Sequence, residues 1–179
     1  MQKVKKILDL GCGKKKRSNA IGIDFNERTE ADIIHDLNMF PYPLEDNTFD
    51  EIYIDNTLEH LDNIIAVMEE VHRICKKGGM VKVMVPYFRS AWASIDPTHK
   101  HYFTANSFAY FDPKNPICTR YAYSTCQYKI ESIRFNEGLK TGIFKNFIRI
   151  FANRYPIKYE FKLSQFFPMD ELTFVLEKL

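Results

Sequence analysis

Ile52-Tyr53-Ile54-Asp55, the segment Leu61-Asp62-Asn63-Ile64-Ile65-Ala66-Val67-Met68-Glu69-Glu70-Val71-His72-Arg73-Ile74-Cys75, and then Lys76-Lys77-Gly78-Gly79-Met80-Val81-Lys82-Val83-Met84-Val85 decide the fold class. In the middle segment Leu61, Ile64, Met68, Val71 and Cys75 recur at intervals of three and four, the period of one helical face. Asp62 or Asn63 offers a side-chain oxygen to cap its start. Lys76 and Lys77 suit the negative end of its dipole, and Gly78-Gly79 can end it in the left-handed conformation. The runs on either side are short, apolar and rich in β-branched residues, as strands buried on both faces are. Strand, helix, strand over this length is a parallel crossover unit, which places residues 1–86 in the α/β class.

Further strands are expected on both sides of this unit. Ile7–Leu10, Ile21–Ile23 and Ile33–Ile34 precede it. Beyond it, residues 87–116 read as a loop-rich connection with a short helix near Asn106–Phe111 and turns at Asp112-Pro113 and Asn115-Pro116. Tyr128–Phe135 and Glu171–Leu179 alternate or run apolar, as expected of a C-terminal antiparallel strand pair. Between them Ile143, Phe147, Ile150 and Phe151 form a helical stripe, followed by aromatic sequence up to Phe167-Pro168. No internal repeat or low-complexity segment is visible.

A length of 179 residues predicts a single domain, and 45% apolar with 27% charged residues is ordinary for a globular chain. No apolar run approaches the roughly 18 residues of a transmembrane helix. The opening Met1-Gln2-Lys3-Val4-Lys5-Lys6 leads straight into a strand, so no leader peptide is expected. Cys12, Cys75, Cys118 and Cys126 show neither metal-type pairing nor a disulfide framework, so a reducing, cytoplasmic setting is expected. The net charge of +2 hides a strong segregation. Residues 1–20 carry seven Lys/Arg against one Asp, residues 21–70 one Arg against fourteen acids, and the remainder seventeen against eight. Solvated faces are the plainest account of this, with a basic rim beside an acidic pocket as the alternative. No long basic run interleaved with aromatics points to nucleic acid.

Asp9-Leu10-Gly11-Cys12-Gly13 follows the first strand, and its glycines let a ligand approach the main chain closely. A third glycine at position 16 would complete a dinucleotide fingerprint, but that residue is Lys16. Lys14-Lys15-Lys16-Arg17-Ser18 also lacks the spacing of a triphosphate-binding loop. Ile21-Gly22-Ile23-Asp24 ends the next strand on a carboxylate suited to a ribose diol. His35-Asp36-Leu37 ends the third, offering an acid for an exocyclic amine and an apolar side chain for a purine face.

Leu8-Asp9-Leu10-Gly11-Cys12-Gly13, Ile21-Gly22-Ile23-Asp24, Asp36-Leu37, Phe40-Pro41-Tyr42-Pro43, Asn47-Thr48-Phe49-Asp50-Glu51-Ile52, Leu58-Glu59-His60-Leu61 and Gly78-Gly79 occur together, in this order. Over roughly residues 6–112 the chain resembles the class I S-adenosylmethionine-dependent methyltransferases, most closely their type 11 branch. The resemblance implies a doubly wound, mostly parallel sheet. The single domain is expected to divide into a cofactor-binding core (1–86), substrate-side loops and a helix (87–127), and terminal strands (128–179) with an aromatic helical insertion at 142–168. The resemblance also implies S-adenosylmethionine as cofactor and S-adenosylhomocysteine as product. Asp9, Gly11 and Gly13, with the Cys12 backbone, would then line the methionine part, Asp24 the ribose, Phe25 or Asn26 the adenine surroundings, and Asp36 and Leu37 the adenine edge and face. Asp55 would sit near the sulfonium and the acceptor. For Asp50, which opens a strand, a structural capping role is expected.

Two departures from the family pattern stand out. Seven residues separate Gly13 from Ile21 and six separate Asp24 from Ala31, too few for the usual crossover helices. A parallel sheet needs cover on both faces. The aromatic segment 143–167 or a second copy of the chain, making a homodimer, is therefore expected to cover the exposed one. Lys14, Lys15 or Arg17 would compensate for the shortened helix at the cofactor's carboxylate or meet a phosphate on the substrate, with a solvated loop as the plainer account.

Asp96-Pro97-Thr98-His99-Lys100-His101 follows the fifth strand. On an extended segment His99 and His101 point the same way, and a histidine suits proton removal from an acceptor. His99, His101 and Asp55 are thus the candidate catalytic residues. Glu59 and His60 together with His99 resemble a divalent-metal set found in some methyltransferases, but Asn56 stands where a further Glu would be, so no metal is expected. The expected activity is methyl transfer to oxygen or nitrogen of a small metabolite, such as a sugar or a nucleotide-linked compound. A non-catalytic cofactor-binding partner subunit and an RNA methyltransferase are the alternatives.

Overall fold

The computed structural model describes residues 4–139 and 142–179. Seven strands form one sheet: β1 (Ile7–Leu10), β2 (Ala20–Asp24), β3 (Ile33–Ile34), β4 (Phe49–Asp55), β5 (Cys75–Pro86), β6 (Tyr128–Phe135) and β7 (Glu171–Lys178). Their order is β3-β2-β1-β4-β5-β7-β6. The first five are parallel, and β7 runs antiparallel between β5 and β6. The α/β class, the doubly wound order and the C-terminal antiparallel pair all follow the sequence reading.

Register and burial show how the sheet is built. Leu8 sits beside Ile21 and Ile52, Leu10 beside Ile23 and Ile54, and Val83 joins Ile54 to Phe174. All of these but Ile21, which is exposed, lie in the main core cluster. Helix α1 (Ile64–Ile74) buries Val67, Met68, Val71 and Ile74 in the same cluster. Asn63 caps it by accepting from the Ala66 amide at 3.1 Å. The Gly78-Gly79 pair does not end this helix. Cys75 is already extended, and Gly78, at φ +73°, lies in a register break of β5 between the partners of Phe49 and Glu51. Strand pairing begins before the glycines and absorbs them as an irregularity. Asp50 accepts from the Lys6 amide at 2.9 Å and pairs with Lys76 at 2.6 Å, which ties β4 to its neighbours.

The links 11–19 and 25–32 carry no helix. They are held by each other instead. Glu30 N donates to Gly13 O at 3.0 Å, Asp32 N to Gly22 O at 2.9 Å, and the Asp32 carboxylate takes both Gly22 N and Lys16 Nζ. The sheet face on this side carries Glu51, Tyr53, Lys82, Met84, Val175 and Glu177, all half-buried. Ion pairs Lys5–Glu51, Lys82–Glu137 and Lys129–Glu177 satisfy its charges.

After β5 come α2 (Trp92–Ile95), a short 3-10 turn at Ala109–Phe111 and α3 (Pro116–Tyr121). The turn expected at Asn115-Pro116 is the start of α3. Asn115 caps it, and proline at the first helical position needs no amide partner. Helices α4 (Ile143–Arg154) and α5 (Pro156–Lys162) follow β6. They pack against β6, at the opposite edge from β1–β3, so the aromatic segment does not cover the sheet face left by the short links. Tyr159 of α5 meets Phe135 edge-on at 4.7 Å, and that contact anchors the pair of helices to the β6 edge.

Candidate active site

The doubly wound order reverses beside β1, which has β2 on one side and β4 on the other, and ligands bind at such a crevice. A cavity of ≈650 Å³ lies there, lined by Gly11, Asp24, Phe25, Asp36 and Leu37. Asn38, Asn56, Thr57, His60, Leu61, Pro97, Thr98 and Lys100 complete its wall. This is the size range of small-molecule pockets, about 300–1,000 Å³.

Local geometry explains why these residues stand there. Gly11 has φ +69° and donates to Ile23 O at 2.8 Å. A Cβ on it would fall 2.2 Å from Thr57 Oγ1, so β1 can turn here only on glycine. The Asp24 carboxylate, itself buried, accepts from Gly13 N on one oxygen and Asn26 N on the other, both at 2.9 Å. It therefore shapes both turns, and each oxygen keeps a lone pair for a ligand hydroxyl. Asp36 accepts from Asn38 N at 2.9 Å, and the Asn38 side chain in turn accepts from Asp62 N at 2.8 Å. Phe25 is 74% exposed while Leu37 is buried, giving one free aromatic ring and one fixed apolar wall.

Asp9, Cys12, Gly13 and Asp55 do not line this cavity. Asp9 accepts from Arg17 N at 2.8 Å, and burial raises its pKa. Asp55 pairs with the Arg17 guanidinium, which also lies over the Tyr53 ring at 4.0 Å. The Cys12 thiol packs on Gly22, where a Cβ would lie 2.8 Å from its sulfur, and burial pushes its pKa up to about 11. These side chains hold down the shortened link between β1 and β2. Of the basic residues in that link, Lys16 and Arg17 are engaged with Asp32 and Asp55.

A second cavity, of ≈490 Å³, opens beside the first. Asn56 and His60 belong to both walls. Glu59, Pro86, Trp92, Ile95, Asp96, His99, Leu139, Asp170 and Glu171 form the rest. Of the three expected catalytic residues, His99 alone lines it. The two histidines part because each ring is held by a different carbonyl, His99 by that of Ala93 and His101 by that of Leu61. His101 Nε2 faces the Leu61 carbonyl at 2.8 Å and donates to it, a structural tie.

His99 Nδ1 likewise meets the Ala93 carbonyl at 3.1 Å, and a carbonyl only accepts. In the neutral ring this leaves Nε2 with its lone pair. Thr98 Oγ1 donates to Asp96 at 2.7 Å, so it accepts from His60 Nδ1 at 2.9 Å. The His60 Nε2 lone pair is free by the same argument. The two rings meet edge to face, centroids 4.7 Å apart. Burial, then the neighbouring His99, holds the His60 pKa below its usual value. Between them Glu59 is 1% exposed with neither carboxylate oxygen hydrogen-bonded, and burial raises its pKa to about 7. Ligand atoms of Glu59, His60 and His99 lie within 4.8 Å of one another. Two imidazole nitrogens and a carboxylate are a donor set suited to a borderline divalent cation.

Thr57, Trp92, Ile95, Leu139 and Glu171 join the site without a sequence signal. Thr57 is marked only through the glycine it crowds, and Leu139 and Glu171 arrive from beyond residue 130, where no local motif connects them to the strand ends.

Residues 8–83 match the family model described as methyltransferase domain (type 11). No curated protein matches the sequence at a significant level. Among solved structures, the chain is similar to an S-adenosylmethionine-dependent methyltransferase from Archaeoglobus fulgidus, with 18% identity, TM-score 0.59, and 97% of this chain and 86% of that one covered. A second such methyltransferase, from Mesorhizobium loti, is 15% identical with TM-score 0.59 over 97% and 91% of the two chains. A third, Haemonchus contortus phosphoethanolamine N-methyltransferase 2 in complex with S-adenosyl-L-methionine, is 13% identical with TM-score 0.55 over 99% of this chain and 49% of that one.

Proposed function

We infer, from the match of residues 8–83 to the model of a methyltransferase domain and from the class I S-adenosylmethionine-dependent methyltransferase fold, that the chain binds this cofactor in the first cavity and methylates a small molecule held in the second. The observation that carries this reading is the meeting of the two cavities at Asn56 and His60, at the strand-order reversal. Bound S-adenosylmethionine supplies a methyl group on a sulfonium, open to attack by a lone pair. Gly11 admits it close to the main chain, Asp24 meets its ribose hydroxyls, Asp36 its adenine amine, and Phe25 and Leu37 the adenine faces. Lys100 of the cavity wall is paired with Asp62 at 2.6 Å, and Lys14 and Lys15 are exposed on the link that follows Gly13.

Pro86, Trp92, Ile95 and Leu139 give the acceptor cavity an apolar wall that excludes water and orients a small substrate. His99, through its free Nε2, takes the proton from an acceptor hydroxyl or amine. His60, its pKa held below the usual value, and Glu59, raised to about 7, stand beside it in the same wall. A volume of ≈490 Å³ suits a small metabolite or the end of a larger one, and oxygen or nitrogen is the atom such a base activates.

Isothermal titration of S-adenosylmethionine into the chain and into Asp24→Ala tests the cofactor half. Saturable binding that weakens at least about tenfold in the variant is expected, since two backbone turns lose their anchor. His99→Ala should bind the cofactor normally and lose turnover with any accepted substrate. Failure of the unaltered chain to bind would overturn the reading. Tight binding with no turnover across oxygen and nitrogen acceptors would instead favour a non-catalytic, cofactor-loaded partner subunit.

A further inference from the structure

Helix α4 wears its apolar side outward. Ile143 is 83% exposed, Phe144 62%, Phe147 67% and Ile150 57%, a stripe at helical spacing, while Ala152 and Ile148 face the β6 edge. Phe161 and Phe166, at and after the end of α5, extend this surface at 75% and 66% exposure. A ring contact from Phe144 to Phe167, 5.4 Å between centroids, joins its two parts. Scattered apolar residues on a surface need no account, but a contiguous aromatic patch does.

Its charges are of one sign. Arg154, Lys158 and Lys162 are exposed along its border. Among the described residues 142–168 the single acid is Glu160, which is buried with its carboxylate accepting from Ala105 N at 2.7 Å. Asp170, just beyond, is neutralised by Lys145 at 2.7 Å. A protein partner's apolar face would not require this uniform basic border, whereas the headgroups of an anionic bilayer complement it. Helices of 12 and 7 residues are too short to cross a hydrocarbon core of about 30 Å. No described helix is long and apolar enough to span a membrane. An amphipathic pair of this kind lies in the plane of the interface, aromatic side chains down and basic ones among the headgroups.

We propose that the α4–α5 surface docks the protein on an anionic lipid bilayer. Leu139, four residues before α4, and Asp170 and Glu171, just after the segment, line the second cavity. The segment that carries this surface is thus flanked in the chain by residues of that cavity. The docking itself does not depend on methyl transfer.

Co-sedimentation of the full chain with sucrose-loaded vesicles tests it, using phosphatidylcholine alone and phosphatidylcholine with about one-third phosphatidylglycerol. Binding to the mixed vesicles, weak binding to the neutral ones, and loss on raising salt are expected. Phe144→Ser/Phe147→Ser/Phe161→Ser and Arg154→Glu/Lys158→Glu/Lys162→Glu should each lower binding to mixed vesicles at least about tenfold, with circular dichroism unchanged because every altered side chain is exposed. Light scattering of the same samples reads oligomeric state. A dimer that dissolves in the phenylalanine variant, with no vesicle binding by the unaltered chain, would assign this face to self-association and overturn the proposal. Equal binding to both vesicle types, unaffected by the basic-residue variant, would also overturn it.

Discussion

Glu59 and His99 lie side by side in the second cavity, a carboxylate oxygen and a ring nitrogen within 4.8 Å, and the carboxylate has no hydrogen-bond partner on either oxygen. An unpaired buried charge is costly, so the group must be neutralised by a proton or by a cation. Both ways out are measurable.

The first is the proton. Burial raises the Glu59 pKa to about 7, from 4.5 in the unfolded chain. The folded state therefore binds this proton more tightly than the unfolded state between pH 4.5 and 7. Stability contributed by Glu59 is full below that window, falls as pH rises through it, and levels off above it, a loss on the order of 3 kcal/mol. Glu59→Gln keeps the shape and carries no charge. In urea denaturation it should be more stable than the unaltered chain by about 2–3 kcal/mol at pH 8, and nearly equal to it at pH 5. Equal stability at both pH values would mean that the carboxylate finds a partner in solution.

The second is a cation. Glu59, His60 and His99 present an oxygen and two nitrogens, with the wide second cavity leaving positions open for substrate. Manganese or zinc added at pH 8 should raise the melting temperature, by about 5–10 °C at roughly a hundred times the dissociation constant, and a chelator should reverse it. Glu59→Gln and His99→Ala should each abolish the shift. His101→Ala should not, since that ring is committed to the Leu61 carbonyl. An unmoved melting temperature with both metals would leave the triad as a proton carrier alone.

The strands were legible because a parallel sheet writes itself as short β-branched runs. Ile7–Leu10, Ile33–Ile34 and Tyr128–Phe135 coincide with β1, β3 and β6. Gly11, Asp24, Phe25, Asp36 and Leu37, expected around one ligand from the family resemblance, line one cavity because the ends of β1, β2 and β3 lie side by side. What failed depended on contacts that no local pattern encodes. Asp55 carries the right residue type at the right strand end, yet Arg17, freed by the missing helix, pairs with it. His99 and His101 were paired by an extended-strand period, but the carbonyls of Ala93 and Leu61 hold their rings apart. The outward apolar stripe of α4 has the same period as an inward one, so spacing alone could not assign its direction.

Gly11 and Gly13 allow a test of the turn that shapes the cofactor cavity. Both are left-handed, at φ +69° and +56°, so alanine at either bears the strain of that conformation, about 1–3 kcal/mol. They differ in space. A Cβ on Gly13 meets nothing within 4 Å, while one on Gly11 lies 2.2 Å from Thr57 Oγ1 and 2.6 Å from Thr57 Cγ2. Thr57 cannot retreat freely, because it is buried and its hydroxyl reaches the carbonyls of Leu10 and Asp55 at 3.3 and 3.0 Å. Gly11→Ala should therefore cost about 2 kcal/mol more than Gly13→Ala in urea denaturation. It should also weaken S-adenosylmethionine by at least about tenfold, because the displaced Thr57 lines the same cavity. Adding Thr57→Gly to Gly11→Ala removes the colliding atoms and should recover most of the extra cost, but not the strain that Gly13→Ala also bears. If Gly11→Ala and Gly13→Ala prove equally mild, β1 and the segment after β4 do not meet as closely as Gly11 and Thr57 require.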